Sequence, residues 1–124
     1  MTITDSTVTA NRVAALAPTG AATVQGAGIT NAGALVLEHA SIRDNCGTAS
    51  GLTGLAQGAG IWNGEIFGIP TSAPTLRHTR VTGNVLMAGP GLDVGGGGLF
   101  TIGFPPVSSD SRVVDNLPDQ CAGC

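Results

Sequence analysis

The chain has 124 residues, a formal net charge of −3, no Lys or Tyr, and 42% hydrophobic against only 3% aromatic residues. With all five of its basic residues Arg and no basic run, it lacks the electrostatic footprint of a nucleic-acid binder. No apolar stretch approaches the length needed to span a bilayer, and the N-terminus lacks the pattern of a signal peptide. Its apolar content of Ala, Val, Ile and Leu, with 20 Gly and 7 Pro, suits many thin layers joined by frequent reversals.

Read in chain order, the first element is Ile3-Thr-Asp-Ser-Thr-Val-Thr-Ala-Asn11, a half coil over residues 3–11. The same pattern returns as Leu37-Glu-His-Ala-Ser-Ile-Arg-Asp-Asn45, Leu76-Arg-His-Thr-Arg-Val-Thr-Gly-Asn84 and Ser108-Ser-Asp-Ser-Arg-Val-Val-Asp-Asn116. Each copy has a small residue at its centre, a β-branched residue after it and Asn at its end. Interleaved is a second unit: Gly26-Ala-Gly-Ile-Thr-Asn31, Gly58-Ala-Gly-Ile-Trp-Asn63 and Gly96-Gly-Gly-Leu-Phe-Thr101. The spacing of 32 to 39 residues implies stacking, because one unit cannot bury its own apolar side.

Coil one spans 26–45, coil two 58–84 and coil three 96–116, each of three short strands, giving about three and a half coils. The segments 12–25, 46–57 and 85–95 read as Ala- and Gly-rich loops at one corner. Period-2 alternation directs Ile29, Ile61 and Leu99 inward, and Val8, Ile42, Val81 and Val113 into a second inward column. Phe104-Pro-Pro106 interrupts the second strand of coil three, since proline removes a ladder donor. Helix is disfavoured throughout by glycine and β-branching. The expected fold is all-β, a short right-handed parallel β-helix, with residues 1–124 forming a single domain. A start in mid-coil leaves open that the chain is a piece of a longer solenoid.

These repeats resemble those of right-handed parallel β-helix proteins of the pectin-lyase-like superfamily. They are most similar to an uncharacterised, Gly-rich bacterial surface or secreted type. The resemblance runs over residues 3 to 116 and is carried by Gly-x-Gly-Ile-x-Asn followed by Leu-x-Leu-x-x-Ser-x-Ile-x-x-Asn. It implies a secreted or cell-surface location and says little about activity, since that superfamily holds lyases, hydrolases and adhesins.

Asn11, Asn45, Asn84 and Asn116 are expected to form a structural amide ladder, and Asn31 and Asn63 another. Asp5, His39, His78 and Asp110 share a column; two histidines between carboxylates invite a metal or acid–base reading, against which stands a plain surface ladder. Glu38 and Arg77 are expected to pair across coils. Trp62 and Phe100 occupy an outward slot, either as a sugar-stacking platform or under a loop. With His39 and His78 they make up the candidate ligand face.

The eight acids show no lyase-like or glycosidase-like cluster; Asp44 and Asp115 come nearest, with Gly83 between them. No catalytic residue, metal ligand or cofactor is therefore assigned. Cys46 follows a ladder Asn at a turn, and Cys121-Ala-Gly-Cys124 reads as plain thiols or a terminal disulfide.

Three functions are carried forward. The first is a non-enzymatic structural or adhesive module. The second is a carbohydrate-binding or carbohydrate-active β-helix, with glycan or a cell-surface component as partner. The third is a module that self-associates through its N-terminal edge, for which the alternative is that segment 12–25 folds over the edge as a cap.

Overall fold

The structure, a computed structural model, describes residues 1–70 and 72–124. It is an all-β parallel solenoid of about three turns, closed by a shorter last one. Turn one holds β1 (Thr2–Thr4), β2 (Thr7–Thr9), β3 (Arg12–Gln25) and β4 (Ile29–Asn31). Turn two holds β5 (Val36–Glu38), β6 (Ser41–Arg43), β7 (Cys46–Gln57) and β8 (Ile61–Asn63). A small antiparallel pair, β9 (Glu65–Ile66) and β10 (Ile69–Pro70), leaves the stack before turn three.

Turn three comprises β11 (Thr75–Arg77), β12 (Arg80–Thr82), β13 (Val85–Ala88), β14 (Asp93–Gly95) and β15 (Leu99–Thr101). The last turn has β16 (Val107–Ser109), β17 (Arg112–Val114) and β18 (Cys121–Ala122). Equivalent strands pair in parallel, in the orders β1-β5-β11-β16, β2-β6-β12-β17 and β4-β8-β15-β18, while β7 joins β3 to β13 and β14.

The register follows the repeat. Val8 pairs with Ile42, Ile42 with Val81, and Val81 with Val113. Ile29, Ile61 and Leu99 are likewise aligned. Ile29, Ile42, Ile61, Val81 and Leu99, with Leu35, Leu37, Ala40 and Leu76, make one buried cluster. Ile3, Val8, Val113 and Cys121 pack on it and are only partly covered, because they lie in the end turns.

Corners are built by residues in the left-handed region. Asp5, His39, His78 and Asp110 have φ of 48°, 50°, 47° and 48°. Ala10, Asp44, Gly83 and Asp115 have 57°, 57°, 66° and 56°. Gly26, Gly58 and Gly96 supply a third such corner at 71°, 61° and 68°. Only this last one demands glycine for space as well as for φ. A Cβ there would lie 2.3–2.5 Å from the carbonyl oxygen of Ile29, Ile61 or Leu99.

Four expectations need correction. Segments 12–25, 46–57 and 85–95 are not loops; they contain β3, β7, β13 and β14, so that each full turn has a fourth side. β3 pairs with β7 from Arg12–Cys46 to Gln25–Gln57, with one irregularity between Ala17 and Ala21. Ala22, Val24, Ala49, Ala56, Ala59, Leu86 and Leu92 form a second buried cluster under this side. Small side chains that signal turns in isolation make a thin packed layer once a neighbouring strand fixes their register, because β-propensity reflects context.

Cys46, for the same reason, begins a strand rather than sitting at a turn. The prolines after Phe104 do not interrupt the second strand of the third coil either. They precede β16, which starts at Val107 with its N–H donating to the carbonyl of Pro74 at 2.8 Å. The edge hypothesis also loses its alternative, since segment 12–25 lies in the plane of turn one rather than over its edge.

Ile42 is fully buried at the centre of the main cluster, between Val8 and Val81. Ile42→Asp should cost about 4 kcal/mol or more, because it buries an unpaired charge. Chemical denaturation measures this, and an unchanged midpoint would refute the register.

Candidate functional site

The most developed polar arrangement is an amide ladder running the length of the solenoid. Asn11 donates through its main-chain N–H and its Nδ2 to Oδ1 of Asn45, at 3.1 and 2.9 Å. Asn45 does the same to Asn84, at 3.1 and 2.9 Å. Asn84 does so to Asn116, at 3.0 and 2.9 Å. Each interior Nδ2 also reaches a carbonyl of the preceding turn: Val8 for Asn45, Ile42 for Asn84 and Val81 for Asn116. One amide per turn thus joins three turns.

The glycine-rich unit makes room for this ladder. A Cβ on Gly28, Gly60 or Gly98 would come within 2.7–2.9 Å of the Nδ2 of Asn45, Asn84 or Asn116. The second glycine of Gly-x-Gly and the ladder Asn are therefore two halves of one contact, although they stand far apart in sequence.

The ladder has a direction and an end. Asn116 donates its N–H and Nδ2 to Oε1 of Gln120, at 3.0 and 3.1 Å. Gln120 returns Nε2 to the carbonyl of Asn116 at 3.2 Å. Sequence reasoning missed Gln120, which closes the column from within the same turn. Two further ladders run the same way: Asn31 to Asn63 at 2.7 Å and Gln25 to Gln57 at 3.3 Å. Thr101 replaces Asn in the first of these and turns its hydroxyl to the carbonyl of Phe104 at 2.8 Å.

The Asp–His–His–Asp column is assembled as the spacing predicts. The His39 and His78 rings stack with centroids 4.9 Å apart and planes 11° from parallel. Nδ1 of His39 lies 3.9 Å from a carboxylate oxygen of Asp5, and Nδ1 of His78 lies 4.0 Å from one of Asp110. The order along the axis is acid, imidazole, imidazole, acid. All four side chains are more than half exposed. The rings lie face to face, each beside the carboxylate of the turn away from its neighbour. That geometry does not converge on one point, and no group of three or more His, Cys, Asp and Glu among the described residues could hold a metal ion.

The aromatic pair is different from an exposed platform. Trp62 pairs with Thr30 and Phe100 in the outward column, but it is only 7% exposed. Its Nε1 donates to Oε1 of Gln57 at 3.2 Å, and the indole lies so close over Gly64 that no Cβ fits there. Phe100 is half-buried. The indole is thus committed to packing, and His39 and His78 sit on a different side of the turn.

Glu38 and Arg77 are register neighbours but do not form the expected ion pair; Arg43 pairs instead with the adjacent Asp44 at 2.9 Å. Exposed long side chains gain too little from such a contact to be fixed by it. Cys121 and Cys124 are joined as a disulfide, with Cα atoms 5.9 Å apart, and Cys46 is a free thiol. The described residues form no cavity.

Two outcomes follow from this geometry. Asn84→Ala should cost about 3 kcal/mol, because Asn45 keeps buried donors with no acceptor, whereas Asn11→Ala at the exposed end should cost less than about 1 kcal/mol. Equal losses in urea unfolding would show that the ladder carries no directional weight. Zinc should leave the melting temperature unchanged, since mass action stabilises only where the folded state binds the ion and this column offers no converging ligands. A rise of several degrees that disappears in His78→Ala would establish a metal site instead.

Comparison of the chain with protein-family models, with curated proteins and with solved structures finds no match.

Proposed function

We propose that this chain is a non-enzymatic β-solenoid module with a structural or adhesive role. We place it with the right-handed parallel β-helix proteins of the pectin-lyase-like superfamily, on the bacterial surface or in the secreted fraction. The observation that carries the reading is where the buried polar groups go. Asn45, Asn84 and Asn116 spend their amides on turn-to-turn bonds. Interior polarity thus serves the stack, and the outside is left as lateral parallel sheets.

The superfamily assignment rests on Gly-x-Gly-Ile-x-Asn and its contact with the ladder, which tie both repeat motifs to one packing requirement. A carbohydrate-binding role would need an accessible aromatic face, and Trp62 presents little of one.

The test is incubation of the pure chain with pectate, alginate and neutral polysaccharides, reading unsaturated products and new reducing ends, together with a glycan array. The expected result is no cleavage and no glycan preference. Cleavage abolished by Asp44→Asn or Asp115→Asn would make the chain an enzyme. Array binding lost in Phe100→Ala would move it to the carbohydrate class.

A further inference from the structure

The two ends of the solenoid are chemically unlike. At the C-terminal end the ladder is closed by Gln120, and Asp119 accepts the N–H of Gly97 at 3.0 Å through its side chain. The inward column formed by Ile3, Leu37 and Leu76 finishes there on Ser108, a polar residue. At the N-terminal end the same column finishes on Ile3, and Val8 and Val13 end the next two. Val13 is 40% exposed although its column continues through Gly47 to the buried Leu86. Asn11 donates its main-chain N–H and one Nδ2 hydrogen to Asn45, which leaves its Oδ1 and its second Nδ2 hydrogen for a partner above turn one.

The strand edge at this end can be read peptide by peptide. A trans peptide points its C=O and N–H in opposite directions. The Ser6 carbonyl accepts from Ser41, so the Thr7 N–H points away from turn two. The Ala10 N–H donates to Arg43, so the Thr9 carbonyl points away as well. β2 therefore offers an outward donor at Thr7 and an outward acceptor at Thr9, evenly placed on either side of Val8. The longer β3 is blunted by Pro18 and by its irregularity between Ala17 and Ala21.

Charge selects the occupant. Turn one carries two charged side chains, Asp5 and Arg12, one of each sign, flanking β2. A head-to-tail neighbour would lay its Asp110 over Asp5, its Ser108 over Ile3, and would have to displace Gln120. A second copy turned head to head about an axis through Val8 meets none of these obstacles. Thr7 N–H then faces the Thr9 carbonyl of the second copy, and the reverse. Asp5 falls beside Asn11 and Arg12 of the second copy, again in both directions.

We propose that the face formed by turn one is the interface of an isologous dimer, in which β2 pairs antiparallel with β2 of a second copy. The contact closes on itself, since it uses the same face of both chains and leaves both C-terminal ends outside. Ile3, Val8 and Val13 are covered in the process.

Sedimentation of the 124-residue chain across a concentration series tests this. The expected species is a dimer that dissociates on dilution. Thr7→Lys, which charges the paired edge, and Arg12→Glu, which sets two acids against each other, should each raise the dimer Kd by about tenfold or more. Arg12→Glu combined with Asp5→Lys should recover the affinity. Val107→Lys, on the C-terminal edge strand, should leave it unchanged. Circular dichroism on each variant keeps loss of fold apart from loss of pairing. A monomer at every concentration, growth beyond the dimer, failure of the charge swap, or dissociation by Val107→Lys would each overturn the proposal.

Discussion

A buried amide that must be satisfied from above and below governs this structure. An Asn side chain removed from water carries two donors and an acceptor, each costly to leave alone. For Asn45 and Asn84 the partners are the same residue one turn on and a main-chain carbonyl one turn back. Such an arrangement works only if successive turns are in register at that corner. Insertions are consequently displaced to other sides. The intervals between ladder residues are 34, 39 and 32, yet the corners around the Asn keep one spacing.

That spacing is itself set by backbone geometry. Two left-handed residues five positions apart bracket β2, β6, β12 and β17, and each strand has three residues. Residues other than Gly, Asn and Asp enter this region at some cost. Asp holds the position at Asp5, Asp44, Asp110 and Asp115, while His39 and His78 hold it in the interior turns. The histidine stack thus follows from a corner rule: equivalent corners lie one strand spacing apart, so their rings must meet. Function is not needed to account for it, and the outward, diverging contacts to Asp5 and Asp110 agree with that origin.

What was legible in the sequence was whatever repeats at fixed local spacing. The inward columns through Ile42 and Ile61, the ladder, and the Asp–His–His–Asp order all fall out of aligning the motifs. The fourth side did not, because Ala, Gly and Thr carry little alternation of hydrophobicity between Arg12 and Gln25. Their strand character comes from β7 alongside them, which is a tertiary fact. Trp62 was placed in the correct outward column, but period-2 alternation says which way a side chain leaves the sheet, not whether it then folds down. Its burial depends on Gly64, two residues later, having no side chain to stand in the way of the indole.

Gln120 marks where repetition ceases to inform. A stack built on one amide per turn has no natural end, because the last Asn always has donors to spare. An Asn in the next turn would satisfy them, but that requires a further turn. Gln, with one more methylene, can double back from four residues downstream and place its oxygen where the next Oδ1 would stand. Its own Nε2 then returns to the carbonyl of Asn116, so the terminating amide is itself partnered. The N-terminal end differs. Asn11 keeps its acceptor and one Nδ2 hydrogen, and at an exposed position both are readily satisfied by water. Burial of Asn116 and exposure of Asn11 therefore decide which end of the ladder needs a dedicated cap and which is served by solvent.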